Sequence, residues 1–286
     1  MKVRRVKTLA ELPDVEFLDS AARGSELCLQ NAELLYRDAQ IAHGSGAQRG
    51  YLILRALAEE EASKALILID AVRCPPSEQA ARSRQLAKFS NHLSRMIYSK
   101  IINFRPADFR ELERAVEGLR EEYFLDGPGG FDWIYRNHLL QEREGTLYVD
   151  YVEADDGRRW DGPSDAVINL MTMGGPFPPS SLTTTRHLRS VGMFSSSGMQ
   201  TVAQVWRGFT PKDDVRWTSL RSLNHQTLEL LKAAGLCAGA DEQALRTVLN
   251  EWPFPLWSLD TRLREVKFES LEIARDSLTA RYPEGF

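Results

Sequence analysis

Two carboxylates and one ammonium group fall within a single helical turn at Glu60, Glu61 and Lys64. Glu60 and Lys64 are four residues apart and Glu61 and Lys64 are three apart, so both carboxylates can meet the ammonium on one helix face. One interpretation is a solvent-exposed ion pair, which contributes only about 0.3–0.5 kcal/mol. The flanking residues, for example Leu57 and Leu66, are apolar nearly all round. That surround favours the other interpretation, in which the charges point into a cleft or a partner interface.

A second candidate set is Lys88, His92, Arg95 and Ser99, spaced i, i+4, i+7 and i+11. This spacing predicts that the four side chains share one face of a helix. Positive neighbours disfavour the protonated form of an imidazole. The set therefore suits a neutral histidine acting as a base, or a phosphate-binding stripe that uses Lys88 and Arg95. The alternative is a solvated basic face with a half-buried histidine.

A third, weaker pattern is Arg37 followed by Asp38, with His43 after five intervening residues. Arg143, just before a Leu-Tyr-Val-Asp run that ends at Asp150, is a candidate charge at a helix end. The chain contains no Glu-x-x-His, His-Glu-x-x-His, Cys-x-x-Cys, Walker A or Gly-x-Gly-x-x-Gly sequence. Without those sequences, di-metal bundle, metalloprotease, P-loop and Rossmann functions lose their usual support, and we expect no metal and no cofactor.

Helical periodicity dominates the elements that must position these residues. We predict that Ser25 caps a first helix and that Ser77 caps a third one. The Ala- and Leu-rich segment between them predicts a long second helix. The predicted helices span about 25–42, 48–72, 77–100, 106–124, 131–144, 212–234, 241–250 and 262–281.

The pattern of apolar and polar residues changes after residue 145. Alternation predicts a β-hairpin with its better strand at Leu147–Glu153. The Gly-, Pro-, Ser- and Thr-rich stretch 174–200 predicts a loop, and the aromatic segment 251–260 predicts a loop packed on the body. We therefore predict a mainly α protein with a lead-in at 1–24, an antiparallel helical bundle at 25–145, and a hairpin plus a mainly helical region at 146–286.

Composition excludes several classes of protein. The 286 residues include no apolar run long enough to span a membrane, and we expect no secretory signal. Three widely spaced cysteines make no disulfide framework, so we expect a cytoplasmic protein. The net charge of -4 argues against broad binding of nucleic acid through its backbone. It leaves room for a small cationic cleft.

The order of these elements resembles the AbiV-type abortive-infection proteins, a branch of the HEPN superfamily. The resemblance covers roughly residues 25–155. It is carried by the Asn31–Ala39 pattern, the Ala-x-x-Glu-Glu-x-Ser-Lys-Ala element around Glu60, the Phe-x-x-His-x-x-Arg element at His92, and the run from Arg143 to Asp150. The later chain matches only loosely, through Trp-Pro-x-Pro-Leu-Trp at 252–257.

The resemblance implies an up-and-down helical bundle that is commonly dimeric and often a metal-independent ribonuclease. It implies a phage-defence effector with RNA as substrate or ligand, a homodimer, and a phage-encoded protein as a possible activator. The catalytic residues that the resemblance implies are Glu60, Glu61, Lys64, His92 and Arg95, with Arg143 binding substrate. Lys88, from the basic stripe, is a further candidate for binding substrate. The family's usual Arg, four-to-six residue, His signature is matched in spacing by Arg37, Asp38 and His43, which form an alternative site.

Two other hypotheses remain open. The same bundle can bind RNA, a nucleotide or a protein without cleaving, as a sensor or an inhibitor of translation. It can also be a dimeric helical scaffold whose charged side chains are solvent-exposed and have no catalytic or binding role.

Overall fold

The computed structural model describes residues 5–126, 132–135, 137–154, 157–252 and 255–267. Within these ranges the protein is mainly α-helical, with two small sheets. The helices are α1 Asp14–Gly44, α2 Gln48–Arg73, α3 Gln79–Ala87, α4 His92–Ile101, α5 Phe109–Arg120, α6 His138–Gly145, α7 Asp165–Thr172, α8 Ser180–Ser190, α9 Ser196–Trp206, α10 Trp217–Ala233 and α11 Glu242–Asn250. The strands are β1 Glu121–Asp126, β2 Asp132–Tyr135, β3 Asp150–Ala154, β4 Gly157–Asp161 and β5 Arg264–Lys267.

The central unit is the helix pair α1–α2. Gly46 turns the chain between them with a φ of 80°, which a glycine adopts without steric cost. A Cβ at Gly24 of α1 would lie 2.9 Å from Leu68 Cδ1 of α2, so the glycine lets the two helices approach closely. Fully buried apolar side chains of both helices, such as Phe17 and Ile67, belong to one hydrophobic core. Helix α2, which carries Glu60, is therefore held rigidly at the centre of the molecule.

The predicted lead-in at 1–24 is wrong over its second half. Helix α1 begins at Asp14, directly after Pro13, and Ser25 is a buried residue in its interior rather than its N-cap. Proline favours a helix start because its fixed φ suits the first turn. The acidic side chains of Asp14 and Glu16 in that turn complement the helix dipole.

The single predicted helix over 77–100 is also wrong, because the chain breaks at Lys88–Ser90, a short 3-10 turn. Asn91 then begins α4 as its N-cap, and its side chain accepts a hydrogen bond from the Ser94 backbone N–H at 2.9 Å. Residues on the two sides of this break no longer share a helix face. Lys88 is thereby separated from the stripe of His92, Arg95 and Ser99.

A three-stranded sheet replaces part of the predicted fifth helix. Strand β1 pairs antiparallel with β2 and parallel with β5, which lies where we predict the start of the last helix. The remainder of that predicted helix, 268–281, lies outside the described residues. The predicted hairpin is confirmed as β3–β4, in which Tyr151 faces Trp160 with ring centroids 5.2 Å apart and both side chains exposed.

The predicted loop at 174–200 is wrong, because it holds α8 and α9. Both helices pack on α1 and α2, so the C-terminal helices complete the same core rather than forming a separate one. The helices predicted at 212–234 and 241–250 are confirmed as α10 and α11. No helix in the described ranges combines the length and the apolar character that a membrane crossing requires.

A buried polar network fastens the 251–260 segment to the bundle. Asp70 of α2 accepts hydrogen bonds from Tyr98 Oη at 2.6 Å and from the Leu256 backbone N–H at 2.7 Å. Arg73 donates to Asp70 at 3.0 Å, and its guanidinium carbon lies 3.3 Å from the ring centroid of Trp252. The prediction that this aromatic loop packs on the body is thus confirmed for the residues described.

Candidate active site

The carboxylate of Glu60 gathers three basic side chains from two other helices. Its Oε2 lies 2.8 Å from His92 Nδ1 and 3.2 Å from Arg95 Nη1, both on α4. Its Oε1 accepts a hydrogen bond from Arg143 Nε on α6 at 3.0 Å. The Glu60 side chain is 4% exposed, whereas that of His92 is 49% exposed. We call these four side chains the Glu60 cluster.

Two asparagine N-caps begin the helices that carry the basic residues of the Glu60 cluster. Asn91 begins α4, so His92 and Arg95 follow at i and i+3 on one helix face. Asn137 begins α6, accepting from the backbone N–H groups of its first turn, and its amide donates to the Leu119 carbonyl at 2.8 Å. This second cap ties the start of α6 to the end of α5 and directs Arg143 toward α2. The caps explain why residues 83 positions apart in sequence meet at one carboxylate.

The hydrogen bond to Glu60 determines which nitrogen of His92 carries the proton. A carboxylate oxygen 2.8 Å from Nδ1 requires a proton between them. Arg95 Nη2, 3.1 Å from the same nitrogen, is then a close contact rather than a second hydrogen bond. In the neutral ring Nε2 is unprotonated, and no described protein group pairs with it. His92 therefore offers a proton acceptor on the solvent side of the cluster.

The charges of the cluster favour an anion. Two guanidinium groups, those of Arg95 and Arg143, face the one carboxylate of Glu60. Arg143 reaches Glu60 through Nε, so its terminal amines remain available for another acceptor. Planar guanidinium groups recognise phosphate through paired N–H donors. Together with Nε2 of His92, these groups can hold a phosphate and move a proton beside it.

Glu61 and Lys64 form a separate pair next to the cluster. The Lys64 ammonium donates to the Glu61 carboxylate and lies 5.3 Å from the ring centroid of Phe89. The structure thus does not bring Lys64 into hydrogen-bond contact with Glu60 or His92. Cys28 lies close enough to this pair for their charges to act on its thiol, and burial raises its pKa to about 12. That thiol stays protonated at neutral pH and is no nucleophile.

Lys88 is not a substrate-binding residue in this geometry, which corrects the sequence prediction. Its side chain is buried, and its ammonium donates to the Leu256 carbonyl at 2.5 Å, facing the Asp70 network instead of the Glu60 cluster. The break at Lys88–Ser90 is the physical reason, because it reorients the chain between Lys88 and His92. Lys88 fastens the 251–260 segment to the bundle.

Replacing Lys88 with methionine should lower the unfolding free energy by about 1–3 kcal/mol, because the buried Leu256 carbonyl loses its donor. Anion binding at the Glu60 cluster should stay unchanged. Burial lowers the pKa of Lys88 to about 8, against about 10.4 in an unfolded chain.

Between those two pH values the unfolded chain holds a proton that the folded chain has released. The contribution of Lys88 to the unfolding free energy therefore rises with pH across that window. Urea unfolding of the wild type and of Lys88→Met, followed by circular dichroism, should show a larger stability gap at about pH 9.5 than at about pH 7.5. A gap that narrows over this range contradicts the assignment.

The alternative site at Arg37, Asp38 and His43 is not assembled in the structure. Arg37 pairs with Asp38 at 3.7 Å, and both side chains are exposed. His43 hydrogen-bonds Gln48 through Nδ1 at 3.0 Å. Six residues along a helix place Arg37 and His43 about 120° apart. The spacing matches the family signature, but the two side chains point in different directions.

Sequence reasoning missed Asn91 and Glu59, which support the cluster. The Asn91 carbonyl accepts from Arg95 Nε at 3.3 Å, so this residue both starts α4 and holds Arg95. Ser99 donates to the Glu59 carboxylate, which gives α2 and α4 a second contact beside Glu60. The Asn-x-x-Ser pattern at 91–94 is an N-cap signal that the sequence contains. The Glu59 contact has no such local signal.

Among the residues that the structure describes, no three His, Cys, Asp or Glu side chains converge in a way that could hold a metal ion. The chain matches no protein-family model, no curated protein and no solved structure.

Proposed function

We propose that the protein is a metal-independent endoribonuclease of the AbiV type, with an HEPN-like bundle, that acts in phage defence by arresting growth or translation. The observation that carries the proposal is a buried carboxylate, Glu60, that orients an exposed imidazole, His92, between two guanidinium groups. Such an arrangement supplies a positioned base and cations without a metal. The family resemblance of residues 25–155 supports RNA as the substrate.

RNA carries its own nucleophile, the 2′-hydroxyl group. In the proposed reaction Nε2 of His92 takes the 2′-hydroxyl proton, and the 2′ oxygen bonds to the adjacent phosphorus. The bond from phosphorus to the 5′ oxygen breaks, and that oxygen takes a proton from water. Arg95 and Arg143 stabilise the negative charge that develops on the phosphoryl oxygens. The products are a 2′,3′-cyclic phosphate and a 5′-hydroxyl end.

The test is incubation of the purified chain with labelled single-stranded RNA in EDTA. We expect cleavage that leaves 2′,3′-cyclic phosphate ends, and no cleavage of RNA with a 2′-deoxy sugar at the cleaved position. DNA of the same sequence is the control substrate. Cleavage that disappears in EDTA and returns with magnesium, or that proceeds on the 2′-deoxy substrate, contradicts the proposed chemistry.

One observation favours the second candidate, a non-catalytic RNA-, nucleotide- or protein-binding sensor. Cleavage uses both a base and an acid, yet His92 is the sole exposed acid–base group hydrogen-bonded within the described cluster, since Lys64 pairs with Glu61. Fluorescence anisotropy with labelled RNA separates the two functions. Binding without products, with and without lysate from phage-infected cells as a source of activator, selects the sensor.

Replacing Arg143 with methionine should reduce kcat/KM for RNA by about 10²-fold, since one donor to the developing charge is lost. Glu60 keeps Arg95 and His92 as partners, so the protein should still fold. Arg143→Lys should recover only part of the loss, because an ammonium cannot present paired donors. Kinetics on a fluorogenic RNA gives the measurement.

The matched control for this prediction is Arg110→Met on α5, which removes an exposed ion pair with Asp213. Its kcat/KM should equal that of the wild type. If Arg143→Met behaves like the control, Arg143 has no part in the reaction.

A further inference from the structure

The segment 256–262 lies against the start of α4, the helix that carries His92. The contact is made by Thr261, whose hydroxyl oxygen lies 2.7 Å from the hydroxyl oxygen of Ser94. Both residues are 1% exposed. We call residues 256–262 the brace. It lies outside residues 25–155, the part of the chain that the family resemblance covers, so the resemblance assigns it no role.

Two hydroxyl groups link the brace to the N-cap of α4. The side-chain oxygen of Asn91 accepts from the Ser94 backbone N–H at 2.9 Å and from the Ser94 hydroxyl at 3.2 Å. The other acceptor near that hydroxyl, the Thr261 carbonyl, is farther away at 3.5 Å. A hydroxyl group has one proton to donate. Since Ser94 donates to Asn91, Thr261 is the donor between the two hydroxyls, and the hydrogen bonds run from Thr261 through Ser94 to Asn91.

Asn91 in turn supports two members of the Glu60 cluster. It directly precedes His92, and its backbone carbonyl accepts from Arg95 Nε at 3.3 Å. An N-cap hydrogen bond stabilises the first turn of a helix. That turn places His92 Nδ1 2.8 Å from Glu60 Oε2. The chain of hydrogen bonds that begins at Thr261 therefore ends at the residue that sets the position of the imidazole.

The brace is held on both sides of Thr261 by Arg120 of α5. The Nε of Arg120 donates to the Arg262 carbonyl at 2.7 Å, and its Nη2 lies 3.2 Å from the Asp260 carboxylate. At the other end of the brace, Leu256 bonds to the buried polar network of α2. Thr261 is thus presented to α4 by a segment that is anchored before and after it.

We infer that Thr261 is a positioning residue for His92, and that the brace is an integral part of the active site. The inference rests on the proposed role of His92 as the base. Thr261 does not touch His92 and acts through Ser94 and Asn91. A buried network in which every donor and acceptor is satisfied makes the groups that it joins rigid. Removing its first donor should let the imidazole leave the orientation in which Nδ1 faces Glu60.

Nitrogen NMR of the histidine rings tests this positioning without RNA. Protein with isotopically labelled histidine is measured in alkaline buffer, where a free imidazole is neutral, and His92→Ala identifies the His92 signals. The wild type should show a protonated Nδ1 and an unprotonated Nε2. Thr261→Val keeps the shape of the side chain without its hydroxyl, and it should shift these signals toward the tautomer mixture of a free ring. Thr261→Ser keeps the hydroxyl and should restore them.

Kinetics on RNA gives the second measurement. Thr261→Val should lower kcat by about 3–10-fold with KM unchanged, since one positioning hydrogen bond is lost and no group that contacts RNA is removed. Ser94→Ala breaks the same chain of hydrogen bonds at its middle, so it should shift the His92 signals and lower kcat in the same way.

The matched control is Thr227→Val on α10. Thr227 is also fully buried, and its hydroxyl donates to the Leu223 carbonyl of its own helix at 2.8 Å. This variant should leave the His92 signals and kcat at their wild-type values. If the protein cleaves no RNA, the ring signals still report whether Thr261 positions His92. Wild-type His92 signals in folded Thr261→Val and Ser94→Ala overturn the inference, and so does an equal shift in Thr227→Val.

Discussion

Replacing His92 with alanine should lower the rate of RNA cleavage in EDTA by about 10²–10⁴-fold, the usual contribution of a positioned acid–base group. The physical reason is the geometry around Nδ1: Glu60 fixes the ring, so Nε2 faces solvent as the proton acceptor. The His92 side chain is half exposed, and its removal leaves Glu60 with two arginines. The variant should therefore fold, and in cells it should lose its toxicity together with its cleavage activity.

His225→Ala is the matched control, because His225 is an exposed histidine on α10. It should cleave RNA at the wild-type rate. Unchanged cleavage and toxicity in His92→Ala remove this residue from the mechanism.

Local patterns predicted the parts of the fold and the cluster that depend on short spacings. Helix α2 is predicted at 48–72 and observed at Gln48–Arg73. The two agree because an Ala- and Leu-rich segment lies between a glycine turn and two prolines. His92 and Arg95 share a face of α4 as their three-residue spacing predicts. The structure places His92 at Glu60, thirty-two residues earlier in the chain, and Arg95 contacts the same carboxylate. The spacing places His92 and Arg95 on one helix face, but it does not indicate which carboxylate they contact.

The errors of prediction arise where long-range packing overrides local preference. Residues 121–126 follow a helix and adopt a strand, because they pair with β2 and with β5 from the far end of the chain. The Ser- and Thr-rich α8 becomes helical because its apolar side packs on α2. The prediction that Lys88 shares a face with His92 requires one unbroken helix over 77–100. The sequence contains Asn91, the N-cap at which a new helix begins.

Replacing Glu60 with alanine should lower the unfolding free energy by about 3–5 kcal/mol, because breaking a buried ion pair leaves uncompensated charge. Here two guanidinium groups, Arg95 and Arg143, lose their carboxylate together, and His92 loses the acceptor that orients it. Glu60→Gln keeps the shape and one acceptor oxygen, so it should be destabilised less. Its cleavage rate should still fall, since a neutral amide stabilises the protonated imidazole less than a carboxylate does.

The neighbouring Glu61→Gln is the matched control: it breaks a partly exposed ion pair with Lys64, worth about 0–1 kcal/mol. Urea unfolding of the three variants measures the difference. A double-mutant cycle of Glu60→Ala with Arg143→Met then tests the cause. Because the second change removes one of the stranded charges, the double variant should be more stable than the sum of the single losses predicts. If Glu60→Ala lowers the unfolding free energy no more than Glu61→Gln does, and the cycle shows additivity, Glu60 does not hold the cluster together. The proposed orientation of His92 by Glu60, on which the cleavage chemistry depends, is then wrong.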